Sequence, residues 1–430
     1  MIYTSKLLFI IIIILLLQKN CLSIGFLRDL FFPRVPVLNR VRSFTETRSS
    51  GNNFDSPILD IIGLVEKHGY PCLEYNITTK DGYKLKLHRI PESPYDEKKY
   101  KNHEKPVVFL QHGILASSDS WTLLGPNKDL AFILADEGWD VWLGNVRGNT
   151  YGRSHEELSP KNNEFWKFSF HEMAVYDLPA MIDHALEVSG QKNLFYIGHS
   201  MGTTMSYILL SMRPEYNDKI KFSISLAPIA FWNVIPKFPG SDVILKNYKN
   251  IKMFLDNNDI HEVLQLTSRS VKLGRSFCSD GVVTQPICAE MLFAISGRNE
   301  HFNRTLLPLL LSYFPAGASM QTFYHFVQNM KQRKFQQYDF GFVNNYKLYG
   351  QKKPPVYDLT KINTPFALVY SENDPMATKE NVMMLAKNLN NVVAVERVAS
   401  KEFNHLDFLW SLEGKKVLFS KVVNLLENYR

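Results

Sequence analysis

A hydroxyl becomes a useful nucleophile near neutral pH only beside a base, and the base works best when a carboxylate orients it. The chain offers a serine in a setting suited to attack, within Gly198-His199-Ser200-Met201-Gly202. The apolar run Leu194 to Ile197 precedes it and the helix-prone stretch Thr203 to Met212 follows. Strand, sharp turn and helix in that order would lift the Ser200 hydroxyl above a sheet edge. Glycines two residues to either side would let the backbones pass without a Cβ clash. The pentapeptide alone arises by chance in roughly one chain in seven of this length, so the flanking pattern carries the reading.

Two further residues complete a proton relay on paper. Asp374 lies in the turn Ser371-Glu372-Asn373-Asp374-Pro375, just beyond the strand-like run Phe366 to Tyr370. Glu372 competes for the role, and an ordinary Asx-Pro turn would look the same. His405 is the only histidine between Phe326 and the C-terminus. Serine, carboxylate, histidine is one of the chain orders such triads take, and in that order His405 has no rival. Cleavage of an ester would place negative charge on the former carbonyl oxygen, which two backbone amides must meet. One belongs to Met201, the residue after the nucleophile. The other is expected from Gln111-His112-Gly113-Ile114-Leu115, with Ile114 first and Leu115 second; His112 is expected to brace that loop.

Positioning these groups requires alternating strands and helices. Ile58, Ile61, Ile62 and Val65 have helical spacing, and a hairpin follows in which Leu73 to Thr79 turns at Asp81-Gly82. Beyond residue 104 the strand candidates are Val107 to Leu110, Val141 to Leu143, Leu194 to Ile197, Phe222 to Leu226, Phe366 to Tyr370 and Val392 to Val398. Helices fall between them, one opening at Ser169 with capping-box spacing to Glu172. The alternation argues for a largely parallel sheet covered on both faces. It breaks off between about Ala230 and Pro355, an aromatic-rich stretch read as an inserted, mainly helical cap over the site.

Composition bounds the setting. The chain has 430 residues and 45% hydrophobic content, enough for a large core. Lys6, the apolar run Leu7 to Leu17 and a polar stretch ending at Ser23 read as a signal peptide over residues 1–23. As a helix that apolar run reaches only about 16 Å, short of a ~30 Å hydrocarbon layer, so no transmembrane segment is expected in the mature chain. Of the net charge of +7, two charges sit in residues 1–23 and three in residues 24–53. The remaining +2 gives no reason to expect nucleic acid. Residues 24–56 are expected to be a flexible or removable segment.

The Cys278 to Cys288 loop contains Gly281 and Pro286, and a disulfide would leave Cys72 as the odd thiol; three unpaired buried cysteines is the other reading. Asn76-Ile77-Thr78 and Asn303-Arg304-Thr305 are N-glycosylation acceptors. No C-x-x-C, H-E-x-x-H or phosphate-binding glycine loop occurs, so neither a metal nor a cofactor is expected.

Several long motifs then carry a resemblance. Gln111 to Leu115, Gly144-Asn145-Val146-Arg147-Gly148-Asn149-Thr150, Phe165 to Ala174, Tyr176 to Ala180 and Asn404-His405-Leu406-Asp407-Phe408-Leu409-Trp410 resemble the acid lipase family, as does Pro315 to Gln321. The likeness runs from about Pro57 to the end of the chain. It implies an α/β-hydrolase fold with core segments 57–229 and 356–430 and a cap or lid insertion at 230–355. It implies a serine esterase acting on triacylglycerols or cholesteryl esters at a lipid–water interface, with Ser200, Asp374 and His405 as the triad. It also implies Ile114 and Met201 as oxyanion donors and a lid held by a Cys278–Cys288 bridge. The chain is expected to be a monomer of the secretory pathway, secreted or lysosomal. Family members commonly carry Gln after the nucleophile. Met201 departs from that pattern and bears on substrate preference or pH profile rather than on a backbone donor.

Overall fold

The computed structural model describes residues 38, 40–42, 58–95, 105–238 and 240–430. The expected signal peptide, residues 1–23, lies outside them.

A hairpin opens the sheet. Strands β1 (Leu73–Thr78) and β2 (Tyr83–Ile90) pair antiparallel, with Thr78 opposite Lys84. The turn between them needs Gly82, which sits at φ +89°. Seven more strands join the sheet: β3 (Val107–Gln111), β4 (Asp140–Leu143), β5 (Ser154–His155), β6 (Leu194–His199), β7 (Ile220–Leu226), β10 (Phe366–Tyr370) and β11 (Val392–Arg397); all but β5 follow the hydrophobic runs. Between β7 and β10 lie two short strands, β8 (Glu262–Val263) and β9 (Ala318–Ser319), which pair with each other. The main order is β1-β2-β4-β3-β6-β7-β10-β11, with β5 at the edge of β2. From β4 to β11 the neighbours run parallel.

Every residue of β3, β4, β6 and β10 is buried. Successive side chains of a strand point to opposite faces, so burial of all of them means both faces of the sheet are covered. Among the helices are α1 (Ile61–Glu66), α2 (Leu130–Asp136), α3 (Leu178–Ser189) and α4 (Met201–Met212). The expected capping box at Ser169 is formed, with Glu172 reaching back to the Ser169 amide. The fold is the expected α/β hydrolase, a mostly parallel sheet with helices.

The stretch between β7 and β10 is mainly helical: α5 (Ser241–Asn257), α6 (Ser268–Phe277), α7 (Gln285–Ser296), α8 (Met320–Gln332) and α9 (Phe342–Tyr349). It builds two small clusters of its own, one around Leu255, Ile260, Tyr324 and Tyr338, the other around Cys278, Ala289, Phe293 and Leu307. Cys278 and Cys288 are joined in a disulfide, and Cys72 is a buried free thiol. Burial pushes the Cys72 thiol far above its ordinary range, which keeps it protonated and inert. After β10 come α10 (Lys379–Asn388) and α11 (Ser420–Glu427).

Of residues 24–56 the structure describes Leu38, Arg40, Val41 and Arg42, and these are packed against the fold. The Val41 amide donates to Ile58 O at 2.9 Å and Leu38 to Leu266 O at 3.3 Å. Arg40 is buried, paired with Asp119 and stacked over Tyr313 with 5.0 Å to the ring centre. Asn76 on β1 and Asn303 are both exposed. Among the described residues no helix is long and apolar enough to cross a membrane.

Candidate active site

The carboxyl ends of parallel strands gather loops at one edge of a sheet, and four such loops concern the site. They follow β3, β6, β10 and β11. Ser200 follows β6 directly and has φ +52°, ψ −119°, a conformation that non-glycine residues rarely adopt. Close packing enforces it. A Cβ on Gly202 would lie 2.4 Å from Gln111 O, and one on Gly198 would lie 2.8 Å from Thr203 N. The glycines flanking the serine are therefore needed for approach, as the spacing suggested.

The three residues expected to act together converge. His405 Nε2 is 2.8 Å from Ser200 Oγ, and His405 Nδ1 is 2.7 Å from Asp374 Oδ2. A carboxylate only accepts, so Nδ1 carries the proton and Nε2 is left to accept from the serine hydroxyl. The other Asp374 oxygen accepts the amides of Met376 and Ala377 at 2.8 and 2.9 Å, which fixes the carboxylate. Glu372 points elsewhere and pairs with Arg397. Ser200 and His405 are each only 8% exposed and Asp374 3%, so the relay is shielded from bulk water.

The loop after β3 abuts Ser200: a Cβ on Gly113 would lie 2.9 Å from Ser200 Cβ. Among the described residues the amides of Ile114 and Met201 donate to no protein acceptor. The Met201 amide is also the first of α4, where the helix leaves its N–H groups unsatisfied and its dipole favours negative charge. His112 braces the loop, its Nδ1 donating to Gly113 O at 2.7 Å while Nε2 accepts from Asn149 Nδ2 at 3.2 Å. Burial lowers the His112 pKa to about 4, so the ring stays neutral above that. Leu115, at φ +61°, accepts the amide of Ala316 and so ties the loop to the stretch between β7 and β10.

Sequence reasoning passed over a second set of positioning residues, in the segment Ser296 to Asn299. Ser296 O accepts the His405 amide at 2.9 Å. Gly297 O accepts Asn404 Nδ2 at 2.9 Å, and Arg298 O accepts Asn373 Nδ2 at 2.6 Å. Each residue preceding Asp374 and His405 is thus an asparagine bound to this segment. Asn299 Nδ2 reaches Asp407 Oδ2 at 2.7 Å, and the same oxygen accepts the Asn404 amide. Asn404 Oδ1 accepts the Asp407 amide in return. That reciprocal Asn-x-x-Asp bonding resembles a capping box and was the one local signal on offer. Arg147 of the Gly144 to Thr150 motif is structural. It is buried, bonded to Asp177 and Asp81, and lies 3.9 Å from the Tyr83 ring centre.

A sheet of this order with a serine on a strand-to-helix elbow, a carboxylate after β10 and a histidine joining them defines the α/β-hydrolase class. Comparison with known proteins narrows the class. A family model described as a partial α/β-hydrolase lipase region matches residues 61–125, and the α/β hydrolase fold model matches 106–251. Human gastric triacylglycerol lipase is 39% identical over 378 residues, covering 86% of this chain and 91% of that protein. Human lysosomal acid lipase/cholesteryl ester hydrolase is 37% identical, covering 86% and 92%. Lipase 1 of Drosophila melanogaster is 37% identical, covering 86% and 80%. A crystal structure from Sulfolobus solfataricus shares the fold at a TM-score of 0.54 and 13% identity, covering 84% of this chain and 95% of that one. The chain belongs to the acid lipase family and is a carboxylic ester hydrolase.

Proposed function

We propose that Ser200, His405 and Asp374 form the catalytic triad of a lipase that hydrolyses triacylglycerols, cholesteryl esters or both. The observation that carries the reading is the pair of contacts at 2.8 and 2.7 Å linking hydroxyl, imidazole and carboxylate. Ser200 Oγ attacks the ester carbonyl as His405 Nε2 takes its proton, and the buried Asp374 stabilises the imidazolium. The Ile114 and Met201 amides receive the developing oxyanion. Proton transfer from His405 releases the alcohol. Water activated by the same ring then frees the fatty acid from the acyl enzyme.

With Ser200 and His405 so little exposed, a long acyl chain reaches them only after part of residues 230–355 moves aside, and that segment serves as the cap or lid. Its own small clusters and the Cys278–Cys288 bridge support its moving as a unit. Core segments 57–229 and 356–430 would stay fixed. The protein acts in the secretory pathway, as a monomer, secreted or delivered to lysosomes, with glycans on Asn76 and Asn303. Relatives of both destinations support the location, and the exposure of both asparagines supports the glycans.

Ser200→Ala is the direct test. The folded variant should lose hydrolysis of triolein and cholesteryl oleate and its labelling by a fluorophosphonate. Turnover near wild type would reject the assignment.

A further inference from the structure

Helix α9 is held to the body of the protein by few side chains. Asn345 Nδ2 bonds Asp339 Oδ1 at 2.7 Å and Lys352 O at 3.0 Å, and Tyr349 donates its hydroxyl to Tyr338 O at 2.9 Å. Most of the rest faces outward. Phe342, Val343, Tyr346 and Leu348 are exposed by 59, 60, 62 and 61%. At about 100° per residue, Phe342, Tyr346, Val343 and Lys347 fall on a single arc of roughly 140°. Single exposed apolar residues need no explanation, but a cluster on one short helix marks a surface that meets something.

The charge carried by α9 and the loop after it has one sign. Lys347, Lys352 and Lys353 flank the cluster, and no Asp or Glu occurs from Phe340 to Tyr357. Lys352 Nζ sits 5.3 Å over the Phe342 ring, and Lys347 and Lys353 form no ion pair among the described residues. Two acids of the neighbouring groove are engaged: Asp339 accepts Asn345 and the Gly341 amide, and Asp256 pairs with Lys252. A groove of about 370 Å³ joins this face to α5, running between Lys249 and Met253 on one wall and Phe340 and Gly341 on the other. Met253 is 60% exposed, so apolar surface continues across the groove, whose lining also holds Asp339 and the paired Lys252 and Asp256.

We propose that α9 and the adjoining edge of α5 form a docking face for an anionic lipid surface. The aromatic and aliphatic tips enter the headgroup boundary, and the lysines extend along the surface to the anionic groups. The lysines decide the occupant. A second copy related by a two-fold axis would set these like charges against each other, whereas an anionic membrane or droplet coat complements them. The inference extends the lipase reading, because it gives the enzyme a hold on the surface where its substrate lies, through residues that take no part in the proposed triad.

The test measures co-sedimentation of the intact protein with phosphatidylcholine vesicles, with and without phosphatidylserine, alongside hydrolysis of a dissolved short-chain ester. Each lysine is worth roughly fivefold in partitioning onto an anionic surface. The wild type should bind the phosphatidylserine vesicles at least tenfold more tightly, with the advantage lost at high salt. Combining Lys347→Glu, Lys352→Glu and Lys353→Glu should erase that advantage. Combining Phe342→Ser, Val343→Ser and Tyr346→Ser should weaken binding to both kinds of vesicle. Both variants should turn over the dissolved ester normally, which shows that they fold. Should the serine variant misfold, the lysine variant still decides. Equal wild-type binding to both vesicle types, or a self-associated wild type made monomeric by the serine variant, overturns the proposal. A wild type that binds vesicles but hydrolyses no ester would sink the triad assignment and leave this face standing.

Discussion

His199 Nε2 lies 3.0 Å from the carbonyl oxygen of His405, so the residue before the proposed nucleophile grips the backbone of the proposed base. A carbonyl only accepts, which assigns the proton to Nε2. Burial and the neighbouring His405 hold the His199 pKa down at about 3, so this ring is a neutral donor throughout the working range. Replacing it with a ring that cannot donate leaves a buried carbonyl unpaired, a loss of about 1–3 kcal/mol. His199→Phe should therefore lower kcat roughly tenfold, with KM and the shape of the pH–rate profile unchanged. A displaced acid limb would show that His199 itself titrates in turnover.

Gly297 occupies φ +97°, and a Cβ there would lie 2.1 Å from Asn373 O. Two costs coincide, a backbone conformation unsuited to L-residues and a clash with backbone one residue from Asp374. Gly297→Ala should cost about 2 kcal/mol or more in stability. Because Ser296 and Gly297 also hold the His405 loop, kcat on a dissolved ester should fall at least tenfold. Unchanged kcat in a folded variant would show that the segment is a bystander.

The Cys278–Cys288 bridge closes a loop of sequence separation 10 between α6 and α7. Removing a cross-link over about ten residues frees the unfolded chain by roughly 2–3 kcal/mol. The loss should stay local, since Cys278, Ala289, Phe293 and Leu307 form a cluster separate from the main core. In the combined Cys278→Ser and Cys288→Ser variant, amides of α6 and α7 should exchange faster while those of β3, β6 and β10 keep their protection. Uniform loss of protection would mean that this part does not yield on its own.

The parts of the site legible in the sequence were those with local signatures. Gly198 and Gly202 mark the close approaches at the elbow, the run Phe366 to Tyr370 precedes Asp374, and His405 had no competing histidine. Strand positions were legible because buried parallel strands are near-continuous apolar runs, as in Val107 to Leu110. What stayed hidden was set by distant partners. Nothing around Arg40 indicates that Asp119, 79 positions away, takes its charge into the interior. Asn373 and Asn404 look like ordinary loop asparagines until Ser296 to Asn299 comes to lie against both. The hairpin edge strand β5 and the β8–β9 pair, each strand two residues long, carry no periodicity to detect.

Asp407 supplies the clearest link between pH and stability. Burial raises its pKa from 3.8 to about 6, against the bonds from Asn404 and Asn299 that favour the charged form. A raised carboxyl pKa means that the folded state holds the proton more tightly than the unfolded chain. The associated stability is then fully present below about pH 4 and is lost as pH rises through about 6. At neutral pH the ionised group costs up to about 3 kcal/mol. Both bonds fall on Oδ2, so the amide oxygen of Asp407→Asn can accept them in its place without the charge. The variant should therefore melt at a higher temperature than wild type at pH 7, with the gap closing by about pH 4. A gap that is independent of pH, or that widens in acid, would show that Asp407 is ionised in the folded protein throughout.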